Sequence, residues 1–300
     1  MNRLLDPAET ALRLPYPALV SELRLLLADG AVQVPERLVQ PLPGGGSLFV
    51  MPALDARIAI TKLITFIPAN AGTARPAIQG DVIVFDAATG ERVLVLDGPT
   101  VTARRTAAVS LLAAQCLAPN KAGPLLIVGA GAQGRAHLDA FADGLPLLRE
   151  VRIASRSPAS ARALAAVAIA RGLRASVVAH PDAHLPDCPL VVTCTPAAGV
   201  VLRAPPRDDA FIAAVGSFTP AMIELDPALC RHCADNGTVI LDTADARHEA
   251  GDLLQAGLDV DAFAPLGEVI AGGERVKGPV LFKSCGWAGW DLAAARTALR

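Results

Sequence analysis

The hexapeptide Gly129-Ala130-Gly131-Ala132-Gln133-Gly134 closes an apolar run, Pro124-Leu125-Leu126-Ile127-Val128, and opens a segment of helix formers. Strand, glycine-rich turn and helix in immediate succession form the arrangement that binds a dinucleotide. Gly129 serves the tight turn, Gly131 lets backbone approach a pyrophosphate, and Gly134 allows helix to pack closely on strand. Ala132 and Gln133 begin the helix, whose free amides and positive dipole end would face phosphate. The bland alternative is a glycine-rich loop between a core strand and a helix. After the helix, Glu150-Val151-Arg152-Ile153-Ala154-Ser155-Arg156 reads as a second strand. It lies about 20 residues past the glycines, where an NAD-type domain usually carries Asp or Glu for the ribose 2′-hydroxyl. This strand ends in Ser155-Arg156-Ser157 instead. A carboxylate would repel a 2′-phosphate, whereas Arg156 and two hydroxyls can bind one. NADP(H) is therefore expected, with NAD(H) as the alternative. The competing reading of Arg156 is a solvated charge at a strand end.

Three cationic residues in apolar settings are the other candidates for chemistry. Lys62 sits inside Ile58-Ala59-Ile60-Thr61-Lys62-Leu63-Ile64, a strand otherwise apolar. A buried lysine is costly unless paired, and desolvation lowers its pKa into a range useful for acid–base work. The alternative is a strand-edge lysine whose head reaches water. Arg104-Arg105-Thr106 begins a helical segment, and Arg37 stands in a Pro/Val setting between two elements. Arginine suits bidentate binding of a carboxylate, although a single arginine is more often a surface charge. Cys230-Arg231-His232-Cys233 looks like half a zinc site, but no second pair follows at matching spacing, so no metal is expected. His137 is expected at the surface of the helix after the glycine turn, and His248 is left open.

The elements that must position these residues fall into two styles. Residues 5 to 30 read as a helix-rich start, with Asp6-Pro7 as N-cap and first helical position and Leu19, Val20, Leu23, Leu26 and Leu27 at helical spacing. Strand-like pieces follow at 46–51 and 56–66, then a turn-rich link at 68–72. Two strands at 81–86 and 92–96 form a hairpin pattern, and an Ala-rich helix runs from about Val101 to Leu117. From Leu125 the rhythm becomes strand, helix, strand. Candidate strands at 125–128, 151–154, 175–178, 190–194, 211–215 and 238–241 argue for a parallel, doubly wound sheet. Pro196 breaks the chain after Thr193-Cys194-Thr195, at a strand's carboxyl end, where ligands sit in such sheets. The segment 286–300 reads as a helix that crosses back to the first region.

Composition narrows the function classes. The chain has 300 residues and a formal net charge of −2, so nothing electrostatic points to nucleic acid or an anionic membrane. Mean hydropathy is high at +0.42, yet the longest uncharged helical candidate, 106–120, is too short to span a bilayer. Six cysteines without regular spacing suggest reduced thiols. Arg3, Asp6 and Glu9 stand where a signal peptide would need an apolar core, so a cytoplasmic enzyme is expected.

From Arg37 to the C-terminus the sequence resembles the ornithine cyclodeaminase/mu-crystallin family. The matching pieces include Met51-Pro52-Ala53, Lys62, Pro68-Ala69-Asn70, Gly80-Asp81, Asp86-Ala87-Ala88-Thr89-Gly90, Leu96-Asp97-Gly98, Arg105-Thr106-Ala107-Ala108, the glycine turn, Ala214-Val215-Gly216-Ser217-Phe218-Thr219-Pro220 and Leu281-Phe282-Lys283-Ser284, in the family's order. The resemblance implies an α/β fold: a Rossmann-type doubly wound parallel sheet (120–285) inserted into a mixed α+β substrate and dimerisation domain (1–119 with 286–300). A homodimer is expected. By position, Arg37, Lys62 and Arg105 match the residues that hold the substrate carboxylate, and Lys62 also matches the catalytic lysine. Thr195 and Val215 join the glycine turn, Ser155 and Arg156 as expected cofactor contacts.

One departure matters. Where cyclodeaminases read G-D-C-P-G-K, with Asp engaging the substrate amino groups and Lys the cofactor, this chain reads Ser217-Phe218-Thr219-Pro220-Ala221-Met222. The Phe218 ring cannot take a proton or pair with an ammonium group. This variant is more similar to the ketimine reductases of the family, which reduce preformed cyclic imines, with Phe218 walling the substrate pocket. Two alternatives remain at this point. Ornithine cyclodeaminase would need another acid, for which Glu224 and Asp242 are the nearby candidates. A crystallin-type protein would bind NADPH with little turnover.

Overall fold

Asp6 starts the first helix: its carboxylate accepts the Glu9 amide at 2.8 Å while the Glu9 carboxylate accepts the Asp6 amide at 3.2 Å. This is a capping box with Pro7 at the first helical position. The computed structural model describes residues 3–70, 73, 75–196, 198–273 and 276–300. The chain packs as two compact units, Met1–Ala108 with Trp287–Arg300, and Val109–Gly286.

The first unit contains β1 (Arg3–Leu4), α1 (Pro7–Arg13), α2 (Tyr16–Leu27), β2 (Leu38–Pro41), β3 (Ser47–Leu54), β4 (Ile58–Phe66), β5 (Ile78–Asp86), β6 (Arg92–Asp97) and the beginning of α3 (Gly98–Leu117). The expected helix-rich start is two helices, because Pro15 lacks an amide to donate and restarts the helix at Tyr16. The sheet order is β1-β6-β5-β4-β3-β2, antiparallel apart from β1 on β6. The hairpin of β5 and β6 pairs Asp81 with Asp97 and Val82 with Leu96. Ala71 and Gly72 of the turn-rich link lie outside the described residues. β4 runs through the middle of the sheet, and Ile58, Ile60, Lys62 and Ile64 form its buried face.

The second unit holds β7 (Leu125–Val128), α4 (Ala132–Gly144), β8 (Glu150–Ala154), α5 (Pro158–Ala170), β9 (Arg174–Val177), β10 (Leu190–Thr193), β11 (Ala198–Leu202), β12 (Phe211–Ala214), β13 (Ile223–Leu225), α6 (Pro227–Asn236), β14 (Thr238–Leu241), α7 (Gly251–Gln255), α8 (Leu266–Gly272) and β15 (Val280–Lys283). Seven strands make one parallel sheet in the order β14-β15-β12-β10-β7-β8-β9. All six expected strands are there. β15, between β12 and β14, was not among them. Four residues behind Gly278-Pro279 and ending in lysine carry too little periodicity to announce a strand. The chain switches direction across the sheet between β7 and β10, which creates the crevice such folds use for ligands.

The division between the units falls inside α3. From Val109 onward this helix serves the second unit: the Gln115 amide donates to Gly144 O at 3.0 Å, and Leu111 packs so closely on Gly144 that a Cβ there would meet it at 2.4 Å. The last helix, α9 (Ala288–Ala298), belongs to the first unit and packs on α2, β3 and β4. Arg296 fixes it there. Its guanidinium reaches Asp55 at 2.6 Å, Asp29 at 2.6 Å and Glu22 at 3.5 Å. Among the described residues, no helix is long and apolar enough to cross a membrane.

Candidate active site

Lys62 is a core residue in a central strand, 1% exposed, flanked by Met51 on β3 and Val82 on β5. Its ammonium meets Asp291 of α9 at 2.7 Å, and the other oxygen of Asp291 accepts from Arg105 Nε at 3.2 Å. Asp291 is fully buried and Arg105 nearly so. Burial drives the Lys62 pKa down to about 8, Asp291 opposes that fall, and Arg105 and then Arg37 add to it. Arg37 is half-buried just before β2, with its guanidinium 5.8 Å from the centre of the Phe49 ring. Lys62 and Arg105 therefore share one buried carboxylate, and the positive field of Arg37 reaches Lys62 as well. Two cations on one carboxylate leave a positive charge that a bound carboxylate would neutralise.

Arg104 has a different task. Its guanidinium lies 4.2 Å from the Tyr16 ring and its Nε donates to Leu14 O at 2.8 Å, tying α3 to the turn between α1 and α2. Asp291 was missed in the sequence. The signal was present, since Asp291 is the lone acid in the Ala-rich segment of α9.

In the second unit the glycine turn joins β7 to α4. Gly129 has φ +121°, and a Cβ on it would lie 2.7 Å from Cys194 O, so only glycine fits. A Cβ on Gly134 would lie 2.0 Å from Gly129 O, which is the close packing of helix on strand that the motif requires. Gly131 differs: nothing stands within 4 Å of where its Cβ would be, leaving open space on the ligand side. Gly131 is also the N-cap of α4 and makes no side-chain cap there. These residues fit a dinucleotide pyrophosphate.

Ser155 follows β8 half-buried, and its hydroxyl accepts the Ser157 amide at 3.3 Å. Arg156 is exposed beside it. Ser157 caps α5, accepting the Ser160 amide at 3.2 Å, so one of the two hydroxyls expected for a 2′-phosphate is committed to the helix. Thr195 and Val215 follow β10 and β12. The Val215 amide donates to Thr193 O at 2.9 Å, and Thr195 donates from its amide and hydroxyl to Glu224 at 2.6 and 2.8 Å.

Two readings change here, those of His137 and of the pair Glu224 and Asp242. His137 is fully buried, not at the surface: Nδ1 bonds Gln133 O at 2.8 Å and Nε2 bonds Ser110 Oγ at 3.0 Å, and burial lowers its pKa to about 4. Glu224 and Asp242 cannot replace the missing acid. Glu224 is buried and takes hydrogen bonds from Thr193, Thr195 and Gly216, and Asp242 takes them from Ser284, Cys285 and Gly286. Cys230 and Cys233 lie in the core on α6, where burial pushes both thiols up and away from the thiolate a metal needs. Phe218 is half-buried against the core of the second unit. His248 is exposed.

Known proteins are similar to this chain in sequence and fold. The Burkholderia ambifaria protein named Δ1-pyrroline-2-carboxylate reductase 2 is 40% identical over 297 residues, covering 98% of this chain and 94% of that protein. Mouse ketimine reductase mu-crystallin is 35% identical over 275 residues, 89% of this chain and 85% of its own. The Thermococcus litoralis Δ1-pyrroline-2-carboxylate reductase, solved with NADH and L-proline, superposes with a TM-score of 0.90 at 22% identity, over 98% of this chain and 95% of that one. Residues 9–299 match the ornithine cyclodeaminase/mu-crystallin family, and with relatives this similar over nearly its whole length the chain belongs to that family.

Proposed function

We propose that the protein reduces cyclic α-imino acids, Δ1-pyrroline-2-carboxylate and Δ1-piperideine-2-carboxylate, to L-proline and L-pipecolate. The observation that carries this reading is the pairing at Lys62, a buried lysine that shares the carboxylate of Asp291 with Arg105 and feels the positive field of Arg37. Arg37 and Arg105 hold the substrate carboxylate, with Arg105 already oriented by Asp291. Lys62 completes the clamp and gives its ammonium proton to the ring nitrogen as the double bond is reduced. An amine held near 8 is protonated at neutral pH and still releases its proton readily. Bound reduced nicotinamide supplies the hydride to the imine carbon. Phe218, which can neither accept a proton nor pair with an ammonium, suits a preformed ring over an open-chain diamine.

Ser155 and exposed Arg156, with no acid at the end of β8, favour NADPH over NADH. The sheet face opposite Lys62 carries the register partners Leu38, Val50 and Leu63, of which Leu38 is 57% and Leu63 41% exposed. An apolar patch of this kind supports a homodimer. All six cysteines are free, which suits a reducing cytoplasm.

The test follows NADPH absorbance with each cyclic imine, beside L-ornithine assayed for ammonia. Oxidation by an imine with ornithine inert is the expected result. Ammonia from ornithine would make the protein a cyclodeaminase, and NADPH binding without turnover on either imine would make it a binding protein.

A further inference from the structure

A dinucleotide is extended about its pyrophosphate. With the pyrophosphate at the start of α4 and the adenosine ribose at the end of β8, its other half would reach toward the carboxyl ends of β10 and β12. Two loops stand there, 194–196 and 215–218. One carboxylate joins them. Glu224 Oε1 accepts the Thr195 amide at 2.6 Å and the Thr195 hydroxyl at 2.8 Å, while Oε2 accepts the Gly216 amide at 2.7 Å and the Thr193 hydroxyl at 3.0 Å. Glu224 is fully buried, and a Cβ on Gly216 would lie 2.4 Å from its carboxyl carbon.

Glu224 is itself held from below. Its amide donates to Asp252 at 2.6 Å, and Asp252 is paired with the ammonium of Lys283 at 3.0 Å. Lys283 also donates to Ser217 O and Ser217 Oγ, both at 2.6 Å, and to Ala214 O at 3.3 Å, so the loop after β12 is fastened on either side of Gly216.

We infer that Glu224 is a positioning residue for the nicotinamide half of the cofactor: it locks the loops after β10 and β12 into one surface and contributes nothing to the adenosine half. The inference rests on the dinucleotide site proposed above, and the experiment separates the two. Calorimetry compares NADPH with adenosine 2′,5′-bisphosphate, which carries only the adenosine side, on the wild type, Glu224→Gln and Thr193→Val. Gln keeps the shape but offers one acceptor oxygen where two are needed, so NADPH is expected to bind about tenfold more weakly and the bisphosphate less than about twofold. Thr193→Val removes one donor to Glu224 from a buried site and should shift NADPH binding in the same direction, by about threefold. It decides the matter if Glu224→Gln does not fold. Equal weakening of both ligands would make Glu224 merely structural, and no weakening of either would remove its role. A wild type that binds neither ligand would overturn the dinucleotide site itself.

Discussion

Lys62 and Lys283 are both buried lysines beside a buried aspartate, one in each unit, and their chemistry is opposite. Lys283 is the cation paired with Asp252, receives further support from Glu224, and donates to Ser217 and Ala214. Burial works against its ammonium, but these partners more than compensate, and its pKa stands above normal. Lys62 shares Asp291 with Arg105 and feels Arg37 besides, so its pKa falls to about 8. A saturated buried lysine holds backbone in place. One with a surplus of like charge around it is poised to bind an anion and release a proton.

The largest break in this comparison comes from Lys62→Met. If Lys62 is the proton donor, turnover of a cyclic imine falls about a thousandfold while NADPH affinity stays within about twofold. The wild-type kcat/KM should also decline above about pH 8, because the donor must carry its proton. In Lys62→Arg that limb moves to higher pH, whereas titration of the substrate itself is unaffected.

His137 sharpens the saturated side. Its pKa falls from 6.5 unfolded to about 4 folded, so the neutral form stabilises the fold fully above pH 6.5 and that contribution is lost as pH drops through 4. The loss is about 3 kcal/mol in urea midpoint experiments, and His137→Gln should show a flatter profile across that window. Arg105→Gln removes one clamp from the surplus side. KM for the imino acid should rise about thirtyfold, with a smaller change in kcat. Arg156→Ala is the mildest: kcat/KM with NADPH drops about tenfold and with NADH hardly at all.

Residue type made half of each site legible. Gly129, Gly131 and Gly134 follow from local geometry, since a strand, a turn and a helix in succession leave few residues that fit. Lys62 stood out because a charge inside an apolar strand needs a reason. Asp291 did not, because the pairing that gives it meaning spans 186 residues to Arg105 and exists only once α9 folds back on β4. The roles of Glu224 and Lys283 were hidden for the same reason: their partners come from the loops after β10 and β12 and from α7. His137 was misplaced because helical position alone cannot show that Ser110 of α3 waits on the same side. β15 was lost because position in a parallel sheet is set by tertiary packing, and four residues do not reveal it.

In the proposed reaction the α-carbon takes its hydride from the cofactor and the ring nitrogen its proton from the protein. Turnover of Δ1-pyrroline-2-carboxylate with NADPH deuterated at C4, in ordinary water, followed by mass spectrometry of the proline, tests it directly. The expected product is L-proline carrying one deuterium at the α-carbon from one stereoisomer of the labelled cofactor. Unlabelled proline from both stereoisomers, or deuterium retained entirely in the cofactor while L-ornithine yields ammonia, would contradict it.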